Sequence, residues 1–208
     1  MDLILVRHGL PERVRVEGGR ADPALTPTGW AQAQRVARLL HEQHEQHEQK
    51  ARTIHAIYAS TMRRAHETAQ PFAALANLPV NLEEGVVEYD RNHKEYIPME
   101  ELKRTDYARW REMAANGFGE GADMQQFHTT VVTALEGIVN RHRGERVVVF
   151  CHGGVINAWA THVLGMQPRM FFEPAYTSVH RFLCASSGQR NLVSLNERHH
   201  LDDLAASS

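Results

Sequence analysis

Residues 2–9 read DLILVRHG, an apolar run that stops at an arginine, a histidine and a glycine. The run from Leu3 to Val6 predicts a buried strand, because it is short, continuous and rich in branched apolar residues. Arg7 and His8 follow directly, and their side chains bind anions and protons. A single triplet of this kind is most often part of a turn, so its meaning depends on how the other strands end.

The remainder of the chain alternates between strand-like and helix-like segments, which is typical of an α/β domain with a mostly parallel sheet. Strands are predicted at 2–8, 53–60 and 146–153, a weaker extended segment at 78–88, and a closing hairpin at 178–186 and 190–197. Helices are predicted after the N-cap Thr26, over 61–75 and over 155–165.

One segment departs from this alternation. Between residues 91 and 140 the helical patterns follow one another without strands, so 91–125 is predicted to be a helical insertion that covers one end of the sheet. The whole chain, 1–208, is expected to form one domain, because this length is sufficient to bury a core. The tail, 201–208, is expected to fray.

Composition and charge exclude several classes of protein. The chain has 23 basic and 25 acidic residues and a net charge of −2, which argues against a nucleic-acid partner. No stretch approaches the roughly 18 consecutive apolar residues of a membrane span. The N-terminus does not resemble a signal peptide, and the cysteines, Cys151 and Cys184, do not suggest a disulfide framework. A cytoplasmic location is therefore expected.

Histidine is abundant, with 14 residues, and residues 41–50 read HEQHEQHEQK. The histidines of this repeat recur every three residues, whereas a zinc-binding helix of the H-E-x-x-H type needs them four apart. The repeat therefore predicts a solvated helix extension. Neither a metal site nor a cofactor is expected.

Polar residues follow three of the predicted strands: Arg7 and His8 the first, Ser60 and Arg64 the second, and His152 the third. In open α/β sheets, ligands bind outside the carboxyl ends of the strands. Two arginines and two histidines at this edge form an anion pocket. Phosphate is the natural ligand, because the guanidinium group binds its oxygens in pairs and stays charged.

The same residues can transfer a phosphoryl group. A neutral imidazole is a nucleophile at cellular pH, so His8 can attack phosphorus and become a phosphohistidine. Arg7, Arg64 and a protonated His152 are expected to hold the negative charge of the transferring group.

Two further features complete the predicted site, a proton donor and close backbone approach. The leaving alkoxide needs a proton, for which Glu88 is the first candidate and Glu84 and Asp90 are the alternatives. A bound phosphate dianion is expected to raise the pKa of this carboxyl group. Gly9 and Gly153 are expected to let the backbone approach the phosphoryl group.

Five motifs in this order, LVRHG, DPALTPTGWAQAQ, YASTMRRAHETA, EEGVVEYD and VVFCHGG, resemble the histidine phosphatase superfamily, also called the phosphoglycerate mutase-like family. The resemblance covers almost the whole chain. It implies that His8 is the phosphorylated nucleophile, that the arginine of the second motif is Arg64 rather than Arg63, and that Glu88 is the proton donor. It also implies a three-layer α/β/α sandwich, phosphomonoester substrates and no obligatory metal.

Departures from the family pattern favour a phosphatase over a mutase. Phosphoglycerate mutases continue RHG with Glu-Ser, whereas this chain continues with Leu10 and Pro11. The family's WEG after the acidic residue is replaced by residues 89–91, YDR. Two alternatives stay open, a phosphoglycerate-type mutase and a non-catalytic phosphate-binding module.

The substrate is expected to be a small phosphomonoester, but its identity stays open. The insertion offers Tyr96, Tyr107 and Trp110 as contacts, and the loop 10–20 carries three arginines that are more often solvated than ligand-binding. The residues predicted for the pocket wall are Glu12, Arg13, Tyr176 and Ser178. Oligomeric state also stays open, a homodimer included.

Overall fold

The computed structural model describes residues 1–45, 53–116 and 123–202. The strands are β1 (Asp2–Arg7), β2 (Val14–Arg15), β3 (Ile54–Ser60), β4 (Val80–Glu83), β5 (Glu95–Tyr96), β6 (Arg146–Cys151), β7 (Val179–Cys184) and β8 (Arg190–Glu197). The helices are α1 (Pro27–Glu45), α2 (Arg63–Ala76), α3 (Met99–Thr105), α4 (Tyr107–Asn116), α5 (Met124–Arg141) and α6 (Gly153–Val163).

Within the described residues, six strands form the main sheet in the order β4-β3-β6-β1-β7-β8. The first four of these run parallel, and β7 and β8 form an antiparallel hairpin at one edge. The prediction of an α/β fold on a mostly parallel sheet is confirmed. Because β1, β3 and β6 are parallel, their carboxyl ends lie at the same edge of the sheet.

Helices cover both faces of this sheet. Successive residues of a strand point to opposite faces, so Leu3 and Leu5 of β1 pack in one core and Ile4 and Val6 in the other. The first core is closed by α5 and α6, and the second by α1 and α2. This is the three-layer α/β/α sandwich that the family resemblance implies.

The helix that follows the RHG triplet begins where the sequence predicts. The hydroxyl of Thr26 accepts a hydrogen bond from the Gly29 N–H at 2.9 Å, and Pro27 is the first helical residue. Such a cap satisfies one of the free N–H groups of the first turn. The helix α1 continues to Glu45, into the HEQ repeat, and residues 46–50 of the repeat lie outside the described residues.

The weak extended segment at 78–88 is only partly a strand. β4 ends at Glu83, and a 3-10 turn occupies Glu84–Val86.

The closing hairpin is present, and Gly188 in its turn has φ of 100°, which favours glycine. Of the tail that was expected to fray, His199–Leu201 forms a 3-10 turn, and 203–208 lie outside the described residues.

The segment predicted as an insertion contains β5, α3 and α4, and its residues 117–122 lie outside the described residues. β5 pairs with β2, which ties the insertion to the loop that follows β1. The insertion therefore lies at the end of the sheet that carries the predicted site.

No helix among the described residues combines the length and apolar character needed to cross a bilayer.

Candidate active site

The carboxyl ends of β1 and β6 and the first turn of α2 meet at one point. Arg7 lies opposite Cys151 in the parallel register, so the following residues, His8 and His152, come side by side with ring centroids 5.1 Å apart. Arg64 reaches the same point, with its Nε 3.3 Å from His8 Nε2. These two histidines and two arginines are buried, each exposed by 5% or less.

The hydrogen bonds of His8 fix its tautomer. Its Nδ1 lies 2.8 Å from the carbonyl oxygen of Gly9, which can only accept, so Nδ1 donates. Nε2 then carries a lone pair, which accepts from the Arg64 Nε–H. Burial, followed by the nearby Arg64 and Arg7, lowers the pKa of His8 well below its usual value. The side chain is therefore a neutral imidazole with an available nucleophilic nitrogen.

The surroundings of His152 also favour the neutral imidazole. Burial, and next Arg64, lower its pKa well below the usual value. The sequence-based expectation of a protonated His152 concerns the site while it holds a phosphoryl group, and it stays a prediction. Its Nε2 lies 2.8 Å from Ser60 Oγ, and that oxygen accepts from the Met62 N–H, so the hydroxyl proton is available to Nε2. Nδ1 then carries the proton, and it has no partner among the described residues.

The two arginines are held in place while part of each guanidinium stays unbonded. Arg7 donates to the Pro174 carbonyl and lies 4.0 Å above the Tyr176 ring, and Arg64 Nη2 donates to both Asp90 oxygens at 3.0 and 3.2 Å. Arg7 Nε and Arg64 Nη1 are buried and have no partner among the described residues. Unbonded buried donors are costly, and an anion satisfies them.

Glu88 supplies a carboxyl group that exchanges protons near neutrality. It is 7% exposed, and its oxygens accept from the Gly154 N–H at 2.8 Å and the Tyr89 N–H at 3.1 Å. Burial, followed by repulsion from Asp90, raises its pKa to about 7 despite these two hydrogen bonds. A pKa in this range suits a general acid and base.

The other two carboxyl candidates have different positions. Glu84 is exposed, accepts from the Thr61 hydroxyl at 2.7 Å and pairs with Arg91, and these bonds lower its pKa. It does not line the cavity at the site. Asp90 does line the cavity, but both of its carboxylate oxygens accept hydrogen bonds from Arg64. The geometry therefore favours Glu88 as the proton donor.

The two glycines next to the histidines serve different purposes. A Cβ on Gly9 would lie 2.6 Å from the carbonyl oxygen of Gly29, so the close packing of α1 requires this glycine. Gly153 lines the cavity, where a Cβ would come no closer than 3.9 Å to Arg7 Nε. The approach of both backbones to a phosphoryl group stays a prediction.

A cavity of about 300 Å³ lies between these residues and the insertion. Arg7, His8, Arg64 and Glu88 line its inner end. The apolar lining includes Met99, Leu102 and Trp110 of the insertion, and Phe171, Phe172 and Pro174 of the segment before β7.

In the segment before β7, sequence reasoning pointed to Tyr176 and Ser178 and missed residues 170–172, which line the cavity. Asn157 of α6 holds the backbone of this segment: the side-chain oxygen accepts from the Phe171 N–H at 3.0 Å, and the side-chain nitrogen donates to the Phe172 carbonyl at 3.0 Å. The sequence feature that could have predicted this wall is the run of three apolar residues, 170–172, in the loop between α6 and β7, since loops are typically polar.

The residues predicted for the pocket wall do not line this cavity. Arg13 pairs with Glu101 at 2.8 Å, and together with Glu12 it lines a separate, more open depression. Tyr176 is buried beneath the Arg7 guanidinium. The Ser178 hydroxyl is hydrogen-bonded to the buried His180. Tyr176 therefore supports the site from below, and the other three lie outside it.

Four further residues singled out in the sequence are also placed by the structure. Tyr96 and Trp110 of the insertion line the cavity, whereas Tyr107 does not and is 58% exposed. Arg63 forms an ion pair with Glu67 at 2.7 Å on the flank of α2, so of the two adjacent arginines only the second enters the site.

Metal-binding side chains are not grouped in the described part of the chain, where no set of three His, Cys, Asp or Glu residues is arranged to hold an ion. The described part of the HEQ repeat has a structural role, because His44 Nδ1 accepts from the Ile54 N–H at 3.0 Å at the start of β3.

The site and the fold agree with a family match that covers nearly the whole chain. Residues 3–198 match the model of the histidine phosphatase superfamily (branch 1). The chain belongs to this superfamily. It is an enzyme, a phosphatase of the histidine phosphatase type.

Relatives of this histidine phosphatase include named phosphatases. It is 28% identical to phosphoserine phosphatase 1 of Hydrogenobacter thermophilus, over 97% of this chain and 94% of that protein. It is 31% identical to phosphoglycerate mutase-like protein 4 of Arabidopsis thaliana, over 76% of this chain and 68% of that protein. A phosphoserine phosphatase mutant of Entamoeba histolytica, solved with phosphoserine, is 25% identical with a TM-score of 0.72, covering 96% of this chain and 98% of that one.

Proposed function

We propose that this histidine phosphatase hydrolyses phosphomonoesters without a metal, through a phosphohistidine on His8 and with Glu88 as the proton donor. The observation that carries the proposal is the neutral His8, whose Nε2 lone pair lies among buried guanidinium groups beside a carboxyl group of pKa about 7. The relatives named as phosphoserine phosphatases support hydrolysis over phosphoryl transfer.

In the first step the phosphate oxygens bind the unbonded donors, Arg7 Nε, Arg64 Nη1 and His152 Nδ1. His8 Nε2 attacks phosphorus, the N–P bond forms, and the bond from phosphorus to the ester oxygen breaks. Glu88 donates its proton to that oxygen, so the alcohol leaves neutral. The Gly9 carbonyl keeps the Nδ1 proton of His8 in place as the ring becomes positive.

In the second step Glu88, now a carboxylate, takes a proton from water. The water oxygen attacks phosphorus, the N–P bond breaks, and His8 returns to its neutral state as phosphate leaves. Two guanidinium groups stabilise the charge on the transferring group, which is the task a metal ion performs in other phosphatases. This is the reason that we propose metal independence.

The other parts of the proposal concern partner and location. A small phosphomonoester matches the cavity of about 300 Å³ in size, because a concave pocket of this volume is typical of small-molecule sites. Both cysteines, Cys151 and Cys184, are free thiols, which agrees with a reducing compartment such as the cytoplasm.

The test is to trap the intermediate. The enzyme is mixed with a ³²P-labelled phosphomonoester and quenched in alkali, where a phosphohistidine survives, and parallel samples are acidified. We expect an acid-labile label on the wild type, none on His8→Ala, and a loss of turnover of at least about a thousandfold in that variant. EDTA is expected to leave turnover unchanged.

The exposed histidine variant His199→Ala is the matched control and should keep both label and turnover. A label that persists in His8→Ala, or activity abolished by EDTA and restored by a divalent cation, would contradict the mechanism.

A further inference from the structure

The cavity has a charged inner end and a mainly apolar outer part. Arg7, His8 and Arg64 line its inner end, and apolar and aromatic side chains from two separate segments line its outer part. Leu102 and Trp110 come from the insertion, and Phe171, Phe172 and Pro174 come from the segment before β7. A phosphomonoester bound with its phosphate at His8 places its alcohol portion in this outer part.

The outer part offers little to a negatively charged alcohol portion. Arg109 is the guanidinium that lines it, and its Nη2 lies 3.8 Å from a carboxylate oxygen of Glu95. Asp90, Glu95 and Glu173 also line the cavity, so a carboxylate on the substrate would face other carboxylates. The remaining lining base, His93, is exposed to solvent.

The size of the cavity also favours a substrate with a large apolar alcohol portion. A volume of about 300 Å³ is more than the three-carbon alcohol portion of phosphoserine fills. Apolar surface left in contact with water is unfavourable, and each methylene that a substrate buries there strengthens binding by about fourfold. A larger apolar alcohol portion therefore uses the walls that the two segments provide.

We propose that the substrates are phosphomonoesters of bulky, uncharged, apolar alcohols, and that Trp110 is a specificity-determining residue for them. This inference rests on the proposed phosphatase function. It separates this enzyme from the relatives named as phosphoserine phosphatases, because it assigns a different alcohol portion to the same chemistry.

The test compares phosphate esters of four primary alcohols, so that the leaving oxygen is of the same kind in each. Values of kcat/KM are measured for ethyl phosphate, 2-phenylethyl phosphate, 2-aminoethyl phosphate and phosphoserine. We expect 2-phenylethyl phosphate to exceed each of the other three by at least about tenfold, because it alone buries a large apolar group. A preference for phosphoserine or the aminoethyl ester would overturn the proposal.

Variants of Trp110 test the wall itself. Trp110→Ala is expected to reduce kcat/KM for 2-phenylethyl phosphate by about tenfold while changing that for ethyl phosphate little, and Trp110→Phe should restore most of the loss. Trp30→Ala is the matched control, since Trp30 is also half-buried but lies on α1 outside the cavity.

The two proposals fail in different ways. If none of the esters is hydrolysed and no label appears on His8, the phosphatase proposal fails. If esters are hydrolysed in a His8-dependent manner but without preference for the phenylethyl group, or with the same preference in Trp110→Ala, only the specificity proposal fails.

Discussion

Glu88 sets the pH dependence of the proposed reaction at the scale of a single residue. The free enzyme needs this carboxyl group protonated, and its pKa is about 7 because of burial and the charge of Asp90. Protonated Glu88 is the majority form below pH 7 and is lost above it. Activity, measured as kcat/KM, should therefore fall as the pH rises through about 7.

Glu88→Gln should remove this alkaline decrease. The amide cannot donate a proton to the leaving group, so we expect kcat/KM for alkyl phosphates to fall by about 10²–10⁴-fold. For p-nitrophenyl phosphate the loss should be smaller, because its leaving group needs no proton. Glu84→Gln is the control and should keep the wild-type profile; an alkaline decrease that persists in Glu88→Gln would assign the titration to another group.

At the scale of the element, the position of α1 depends on a close backbone approach. A Cβ on Gly29 would lie 2.2 Å from the carbonyl oxygen of Leu10, and the neighbouring strand end has its own glycine, Gly9, against the same helix. The first turn of α1 and the loop after His8 thus pack backbone to backbone. This contact holds the Gly9 carbonyl, which orients His8, the proposed nucleophile.

Gly29→Ala is expected to destabilise the protein by about 1–3 kcal/mol, because backbone atoms must move apart. Gly137→Ala, in the interior of α5, is the matched helical control: its Cβ would meet only the end of the Arg141 side chain at 3.5 Å. That variant should gain about 0.5–1 kcal/mol of stability, since alanine is the better helix former. Urea unfolding midpoints measure both, and a neutral Gly29→Ala would show that α1 can shift freely.

For the whole molecule, buried neutral histidines predict sensitivity to acid. Burial lowers the pKa of His180 to about 3, and it lowers those of His8 and His152 well below the usual value. Below pH 6.5 the unfolded chain binds protons that the folded chain does not, so the free energy of unfolding falls as the pH falls. Glu88 acts in the opposite sense, since its raised pKa contributes stability that is lost as the pH rises through 7.

The contribution of His180 to the pH dependence of the free energy of unfolding can be measured without changing an active-site residue. His180 Nδ1 accepts from the Asn196 N–H at 3.2 Å, so Nε2 donates to the Ser178 hydroxyl at 2.9 Å. A second proton on Nδ1 would break the bond from Asn196, because Nδ1 could then only donate. Between pH 7 and pH 5 the wild type should lose about 2 kcal/mol through this residue. In His180→Gln that part of the pH dependence should be absent, whereas the exposed His199→Gln should resemble the wild type in urea unfolding at both pH values.

The sequence by itself determined the α/β fold, the three-layer arrangement through its family resemblance, and the four residues at the strand ends. Arg7, His8 and His152 lie directly beside apolar runs, and Arg64 lies in the first turn of the helix that follows another. Parallel strands end at one edge of the sheet, so this local pattern already implies that their side chains converge.

Only the tertiary structure decided which carboxyl group is buried, whether His152 is charged, and which residues enclose the cavity. Glu84, Glu88 and Asp90 lie within seven residues of one another, and their different burial depends on α6 and α2, which are distant in sequence. The same holds for the cavity wall, since the paths of the insertion and of 170–174 follow no local periodicity. Protonation and enclosure depend on what surrounds a group in space, and local sequence patterns do not carry that information.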